Sequence, residues 1–377
     1  MARIVILSLA LFTPALPVLA QTTPCDAPAA IDDGWTRATP AEVGLDGERL
    51  CGLDTFIHQW PQANIHAVVV VRHGKLAFER YYKGPDERLG HTNGVHQYGP
   101  TEKHDLRSAT KSVTSLLIGI ALGEGKYPDL DASVIDQLPQ YAALRTADNA
   151  RITSRHLLTM SAGLEWDEDR PYSDPRNSET IMDQAPDMYA YVLQRPAIAP
   201  PGTVYTYSSG GSALLGLVLT RSVGEQIDVY AREKLFLPLK ITDTEWFGFF
   251  GRPEPASYGG LRMRPRDFAK IGQLLMTDGK WGDRQVVPAG WAARSTKPRI
   301  NGAGLFFYGY QWWLGRSFMN GRELKWSAAV GWGGQRLYIV PDLDLVVAIN
   351  AGHYGGPLQG VIPAGILNSV VLPAAKD

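Results

Sequence analysis

Strand-like sequence stands at both ends of this chain and helical sequence in its middle, an order that few folds accommodate. Toward the N-terminus, Ala67-Val68-Val69-Val70-Val71, a turn at His73-Gly74-Lys75 and Leu76–Tyr82 read as a β-hairpin. Toward the C-terminus, Gln311–Leu314, Gly334–Val340 and Leu345–Ile349 are rich in β-branched and aromatic residues, with turns at Pro341-Asp342 and Gly352. Between them, apolar residues recur at helical spacing in Gly211–Val223, Ile227–Leu235 and Pro265–Met276, and another helix starts after Thr153 or Ser154. A short helix is also expected over Glu48–Trp60, with polar loops at 84–106 and 163–178. The order predicts an α+β fold: an antiparallel sheet flanked by helices, interrupted by an inserted, mainly helical domain. The expected boundaries are 38–107 and 251–377 for the sheet domain and 108–250 for the helical one, after an extension at 21–37.

At 377 residues, 45% hydrophobic and 20% charged, the chain can bury one large core or two smaller ones. A net charge of −1 without any block of like charge argues against nucleic acid or an anionic membrane as partner. Residues 1–20 have the form of a secretory leader. Arg3 precedes an apolar stretch from Ile4 to Phe12, and Val18-Leu19-Ala20 forms a small-residue cleavage site before Gln21. Pro14 and Pro17 interrupt the run, and no later one is long enough to span a bilayer, so a secreted or periplasmic protein is expected. In an oxidising compartment, Cys25 and Cys51 read as a disulfide, with two unpaired thiols as the alternative. The sequence does not fix an oligomeric state.

The candidate chemistry begins at Ser108-Ala109-Thr110-Lys111, which opens an apolar run. On a helix, residues three apart are neighbours, so the Lys111 amine would lie beside the Ser108 hydroxyl. A serine hydroxyl needs a base to become a nucleophile, and a desolvated lysine has a lowered pKa suited to that task. By itself a Ser-x-x-Lys tetrapeptide also fits a helix with a Ser N-cap and a solvent-facing Lys. Two further segments supply the missing parts. Tyr207-Ser208-Ser209 follows Pro200-Pro201-Gly202 and precedes a helix; its tyrosine can shuttle a proton, particularly if an ammonium stabilises the phenolate. Gly331-Trp332-Gly333-Gly334-Gln335 leads into a strand, where glycines permit close approach of a ligand to the backbone.

Ser-x-x-Lys, then Tyr-x-Ser, then a Gly-rich turn into a late strand resembles the serine β-lactamase-like hydrolases: class C β-lactamases, D,D-peptidases, related esterases and nylon-oligomer hydrolases. The resemblance runs over roughly 38–370 and includes Arg151–Leu164, Gly259–Asp267 and Tyr308–Trp313. It implies a β-lactamase/transpeptidase-like fold with Ser108 acylated, Lys111 as first base, and Tyr207, hydrogen-bonded to both, relaying the proton. The backbone N–H groups of Ser108 and Gln335 would form the oxyanion hole, and Ser209, Trp332, Gly333 and Gly334 would contact substrate. Two positions depart from class C enzymes. Ser209 stands where they usually have Asn, and Trp332-Gly333-Gly334 where they carry Lys-Thr-Gly. Losing that lysine removes a cation suited to the carboxylate of a β-lactam, and points toward the esterase and amidase branches.

Other residues carry less. His91, His96 and His104 share one polar loop without a Glu or Cys pattern and read as surface residues, so no metal and no cofactor is expected. There is no His-Glu-x-x-His and no Gly-x-Ser-x-Gly. Among Trp166, Tyr172, Trp312 and Trp313, half are expected to line an acyl pocket and half to be core. The resulting expectation is an exported serine hydrolase acting on a small-molecule ester or amide. A D,D-peptidase or class C-like β-lactamase is the enzymatic alternative, and a catalytically silent binding protein on the same fold is the other.

Overall fold

The structure, a computed structural model, describes residues 25–376. Its centre is an eight-stranded antiparallel sheet that runs, edge to edge, Ile300–Asn301, Phe307–Tyr308, Trp313–Met319, Arg322–Gly331, Gln335–Val340, Leu345–Ala351, Ile65–Arg72 and Lys75–Tyr81. The N-terminal hairpin therefore completes a sheet begun by the C-terminal third. Val70 faces Val347 on one side and Phe78 on the other.

Both faces of the sheet are covered, which is why Ala67–Val71 is uniformly apolar rather than alternating. Val69, Val71, Leu337, Ile339, Val346 and Ala348 point toward the helix Pro265–Met276 and the helical region beyond it. Val68, Val70, Tyr338, Val340, Val347 and Ile349 point toward the terminal helices. Each such valine or leucine contributes about 1.5–3 kcal/mol by leaving water. Helix and sheet approach closely at Gly272, where a Cβ would lie 2.5 Å from a Val346 methyl.

The structure departs from the sequence expectation in several places. Residues 84–106 are not a loop: Lys83–Arg88 pairs with His91–Gln97 as a largely exposed ribbon, and His104–Asp105 pairs with Leu261–Met263. A two-stranded ribbon that buries little apolar surface leaves no alternation to read. The ten-residue strand Arg322–Gly331 has no counterpart in the expectation either, because its charged first half masks the pattern. The helix expected over Glu48–Trp60 is two, Gly47–Cys51 and Leu53–His58, meeting at Gly52. Cys25 and Cys51 are disulfide-bonded, with Cα atoms 6.0 Å apart. The expected leader, residues 1–20, lies outside the described residues. Among those described, no helix is long and apolar enough to cross a membrane.

Candidate active site

Ser108 sits in a single 3-10 turn, Arg107–Ala109, that runs into the helix Thr110–Gly123. That helix is buried from Thr110 to Ala121, so it has no wet face, and its polar residues Thr110, Lys111, Ser112, Thr114 and Ser115 are buried with the apolar ones. Arg107 adopts a left-handed φ of 51°, a conformation that costs a non-glycine residue roughly 1–2 kcal/mol. Its guanidinium is held 3.4 Å from Asp105 and stacks 5.0 Å from the Tyr354 ring, so the strain is fixed immediately before Ser108.

Lys111 is fully buried, and its Nζ lies 2.9 Å from Ser108 Oγ, 3.1 Å from Ser209 Oγ and 2.9 Å from the Tyr258 carbonyl. Ser209 in turn donates through Oγ (3.0 Å) and backbone N–H (2.8 Å) to the Glu168 carboxylate. The polarity of this chain is informative. Tyr258 O accepts only, and Ser209, donating to Glu168, accepts from Lys111. A neutral amine has two hydrogens, which these partners take, leaving its lone pair for Ser108. Burial pushes the Lys111 amine below its usual range, opposed by the nearby charges of Glu168, Glu179 and Asp183.

These carboxyls are the part of the site that sequence reasoning missed. Glu168 is pushed up to about 8 by desolvation and by Glu179, although part of its surface still meets solvent; Lys111 and the Ser209 N–H pull the other way. Trp166 Nε1 also donates to it, at 2.6 Å. Ser209 is the first residue of the helix Ser209–Val223, so the Glu168 carboxylate caps a helix N-terminus, where an anion is favoured. Asp183 is pushed up to about 7 by burial and by Glu179, and accepts a hydrogen bond from Tyr258. Glu168 lies in the Trp/Asp/Pro-rich 163–178 segment; only its acidity hinted at such a role.

Tyr207 is hydrogen-bonded to Ser108, with Lys111 Nζ 5.0 Å over the face of its ring. The expected bond to both residues and the expected stabilisation of a phenolate are therefore not what forms. Burial and the Glu168 charge raise the phenol well above its ordinary value, so Tyr207 holds its proton at neutral pH.

Gln311 aligns these parts. It has a left-handed φ of 63° and is 1% exposed. Its carbonyl accepts from Ser112, its Oε1 from Ser212, and its Nε2 donates to the carbonyls of Leu157 and Leu158. One residue, through its backbone carbonyl and its side-chain amide, thus joins the helix that carries Lys111 to the helix that starts at Ser209.

The Gly-rich turn meets the nucleophile segment through its backbone. A Cβ on Gly331 would lie 2.1 Å from Leu106 O and 3.2 Å from Ala109 N. Gln335 begins the next strand opposite Gly331, its amide buried among the carbonyls of Trp332 and Ala351. Gly333 and Gly334 have φ of 85° and 100°. The Gly333 N–H donates to Gln359 and its C=O accepts from His353, so both its polar groups are engaged inside the protein. Trp332 supplies the side chain: its ring meets Tyr172 edge-on at 5.5 Å. Trp313 packs 5.8 Å from Tyr207, whereas Trp312 and Trp166 are core. No lysine stands at this turn. The nearby Arg336 is buried and directs its guanidinium to the carbonyls of Gly331, Gln335 and Gln359.

The three histidines do not stay together. His91 and His96 lie on the exposed ribbon, while His104 is fully buried against His66, correcting its expected surface position.

Residues 62–357 match the Beta-lactamase family. The chain is 24% identical over 342 residues to the 6-aminohexanoate-dimer hydrolase of Paenarthrobacter ureafaciens, a match covering 82% of this chain and 78% of that one. Similar solved structures include EstCE1, a hydrolase with promiscuous acyltransferase activity, with a TM-score of 0.63, 18% identity and coverage of 83% and 96%. A penicillin-binding protein from Bacillus halodurans superposes with a TM-score of 0.59, 18% identity and coverage of 84% and 98%. The chain belongs to the beta-lactamase family. It is a serine hydrolase.

Proposed function

We propose that this hydrolase is exported and cleaves an uncharged or weakly charged ester or amide through an acyl-enzyme on Ser108. The hydrogen-bond chain from Ser108 through Lys111 and Ser209 to Glu168 carries the reading. Lys111 takes the Ser108 proton as Oγ attacks the carbonyl carbon, and the carbonyl electron pair moves to oxygen. The developing oxyanion is met by the Ser108 and Gln335 N–H groups. Tyr207, holding its proton, donates to the departing oxygen or nitrogen, and the Lys111 ammonium then returns a proton to the Tyr207 phenolate, so that both groups regain their starting states. Glu168, reached through Ser209, balances the transient ammonium. Water then repeats the attack on the acyl carbon, releases the acid and regenerates Ser108.

The substrate class is supported by Trp332 and Tyr172, whose rings meet edge-on at the Gly-rich turn, the position at which the resemblance places a lysine in class C enzymes. The amide-hydrolase relative supports the same branch. Export is supported by the leader-like residues 1–20 and by the Cys25–Cys51 disulfide, which persists in oxidising compartments.

The test is a substrate panel of short-chain p-nitrophenyl esters, linear amides, D-aminoacyl amides and nitrocefin, run with wild type and Ser108→Ala, alongside fluorophosphonate labelling. Ester or amide turnover that Ser108→Ala abolishes, with labelling of Ser108, is expected. Undiminished turnover by Ser108→Ala would overturn the nucleophile assignment. Nitrocefin turnover exceeding every ester and amide would favour a β-lactamase, and absent labelling of folded protein a silent binding protein.

A further inference from the structure

Behind the nucleophile segment, His66 on the strand Ile65–Arg72, Asp86 on the ribbon and His104 on the strand His104–Asp105 meet in the interior. They are 0%, 4% and 0% exposed. His66 Nδ1 lies 2.8 Å from His104 Nε2, and Asp86 Oδ1 lies 3.8 Å and 3.6 Å from these two nitrogens.

Counting protons shows what this centre lacks. Asn64 Nδ2 donates to the carbonyls of Pro85 and Gly352, which fixes its amide so that Oδ1 faces His66. His66 Nε2 then meets two acceptors, Asn64 Oδ1 at 3.0 Å and Pro85 O at 3.1 Å, and must carry the hydrogen. His104 Nδ1 meets the Asp105 carbonyl at 3.0 Å and must carry its own. Both neutral rings therefore turn bare lone pairs toward each other and toward a carboxylate oxygen. Three electron pairs converge with no hydrogen to share, an arrangement that calls for a cation.

We propose that His66, Asp86 and His104 bind a single divalent transition-metal ion of the zinc class. The three ligand-atom separations bracket the roughly 3.3 Å expected around tetrahedral zinc. Two imidazoles and one carboxylate are a donor set that zinc accepts, with a water in the remaining position. The surroundings match a supporting shell: each imidazole donates its outer N–H to an oxygen, and the Asp86 oxygens accept from Tyr98 and from Tyr354 (2.8 Å). The fit is tight. A Cβ on Gly84 would lie 2.2 Å from Asn64 Oδ1, and one on Gly352 2.7 Å from the His66 ring. The ion would join the first strand, the ribbon and the segment four residues before Ser108, a role in stability.

The experiment uses untagged full-length protein grown with zinc and dialysed. Metal analysis is expected to give about one equivalent per chain, and His66→Gln and Asp86→Asn to lose it, while His96→Gln retains it. Dipicolinate should lower the wild-type Tm by about 5 °C or more, and zinc should restore it. Cobalt added to the stripped protein should give tetrahedral d–d absorption. This last readout needs no variant to fold. Substoichiometric metal, a Tm that neither chelator nor zinc moves, and cobalt with an octahedral aqueous spectrum would overturn the proposal and leave a proton-bridged imidazole pair only.

Discussion

Gly331 presses its backbone against that of Leu106, two residues before Ser108, so closely that no side chain fits between them. The contact docks the end of a central strand onto the strained turn at Arg107, and it sets where the Ser108 hydroxyl stands relative to the cleft. Gly331→Ala places a Cβ where Leu106 O now lies. The neighbour is backbone and must move. We expect kcat to fall about 10–100-fold, with a smaller change in KM, because a shift near 1 Å at reacting atoms costs that much. A fluorophosphonate labelling rate equal to wild type would refute this.

Glu168 raises the pKa of Lys111 by its charge, and burial lowers it. Glu168→Gln removes the first influence only. The amine then loses its proton at lower pH, so the acid limb of the kcat/KM profile should move to lower pH. A profile whose acid limb stays in place would separate that limb from Lys111.

Asp183 makes a claim on stability. An unfolded aspartate titrates near 4, whereas the folded one is pushed up to about 7 by burial and Glu179. Between those values the folded state binds a proton that the unfolded state has released, so stability falls as pH rises and the deficit is complete above 7. Asp183→Asn keeps an acceptor for Tyr258 and carries no charge. Denaturant unfolding should find it more stable than wild type at pH 8, by on the order of 1–2 kcal/mol, and little different at pH 4. Equal differences at the two pH values would contradict the assignment.

Arg266 anchors the N-terminal segment. Its guanidinium is fully buried, pairs with both oxygens of Glu79, and lies 3.0 Å from Asp33 and 2.9 Å from the Ala29 carbonyl. Arg266→Gln leaves two carboxylates without their cation, and should cost about 3–5 kcal/mol in urea unfolding. A loss below 1 kcal/mol would mean that water reaches those carboxylates.

The parts of the site with a fixed sequence spacing could be read without a structure. Ser108 and Lys111 are one helical turn apart, and helical geometry alone makes them neighbours. Tyr207 and the Trp332 turn were recognisable by their order along the chain. Glu168, Glu179 and Asp183 were not, because nothing in an acidic loop, or in the short helix Ser178–Gln184 that follows it, says which carboxyls face inward. His66 and His104 are separated by a ribbon whose polar strands look like a loop, so their contact depends on a pairing that leaves no periodicity. The same holds for Arg322–Gly331, where the sheet, not the local pattern, imposes the strand. By contrast, Ala67–Val71 and Pro265–Met276 carry their own apolar pattern, and the structure forms both.

The sheet order also has a temporal meaning. Val70 emerges early in synthesis, 277 residues before its partner Val347. Until then, the Ile65–Arg72 strand has an open edge on that side, and the Arg322–Gly331 strand that supports Ser108 is not yet joined to it through Leu345–Ala351. A ribosome-bound chain holding Ser108, Lys111 and Tyr207 is thus still without the surface that orders them, and hydrolytic competence is expected only once the Leu345–Ala351 strand is made. A chain ending between residues 208 and 344 would carry Ser108, Lys111 and Tyr207 but lack the Leu345–Ala351 strand, and is expected to be inert.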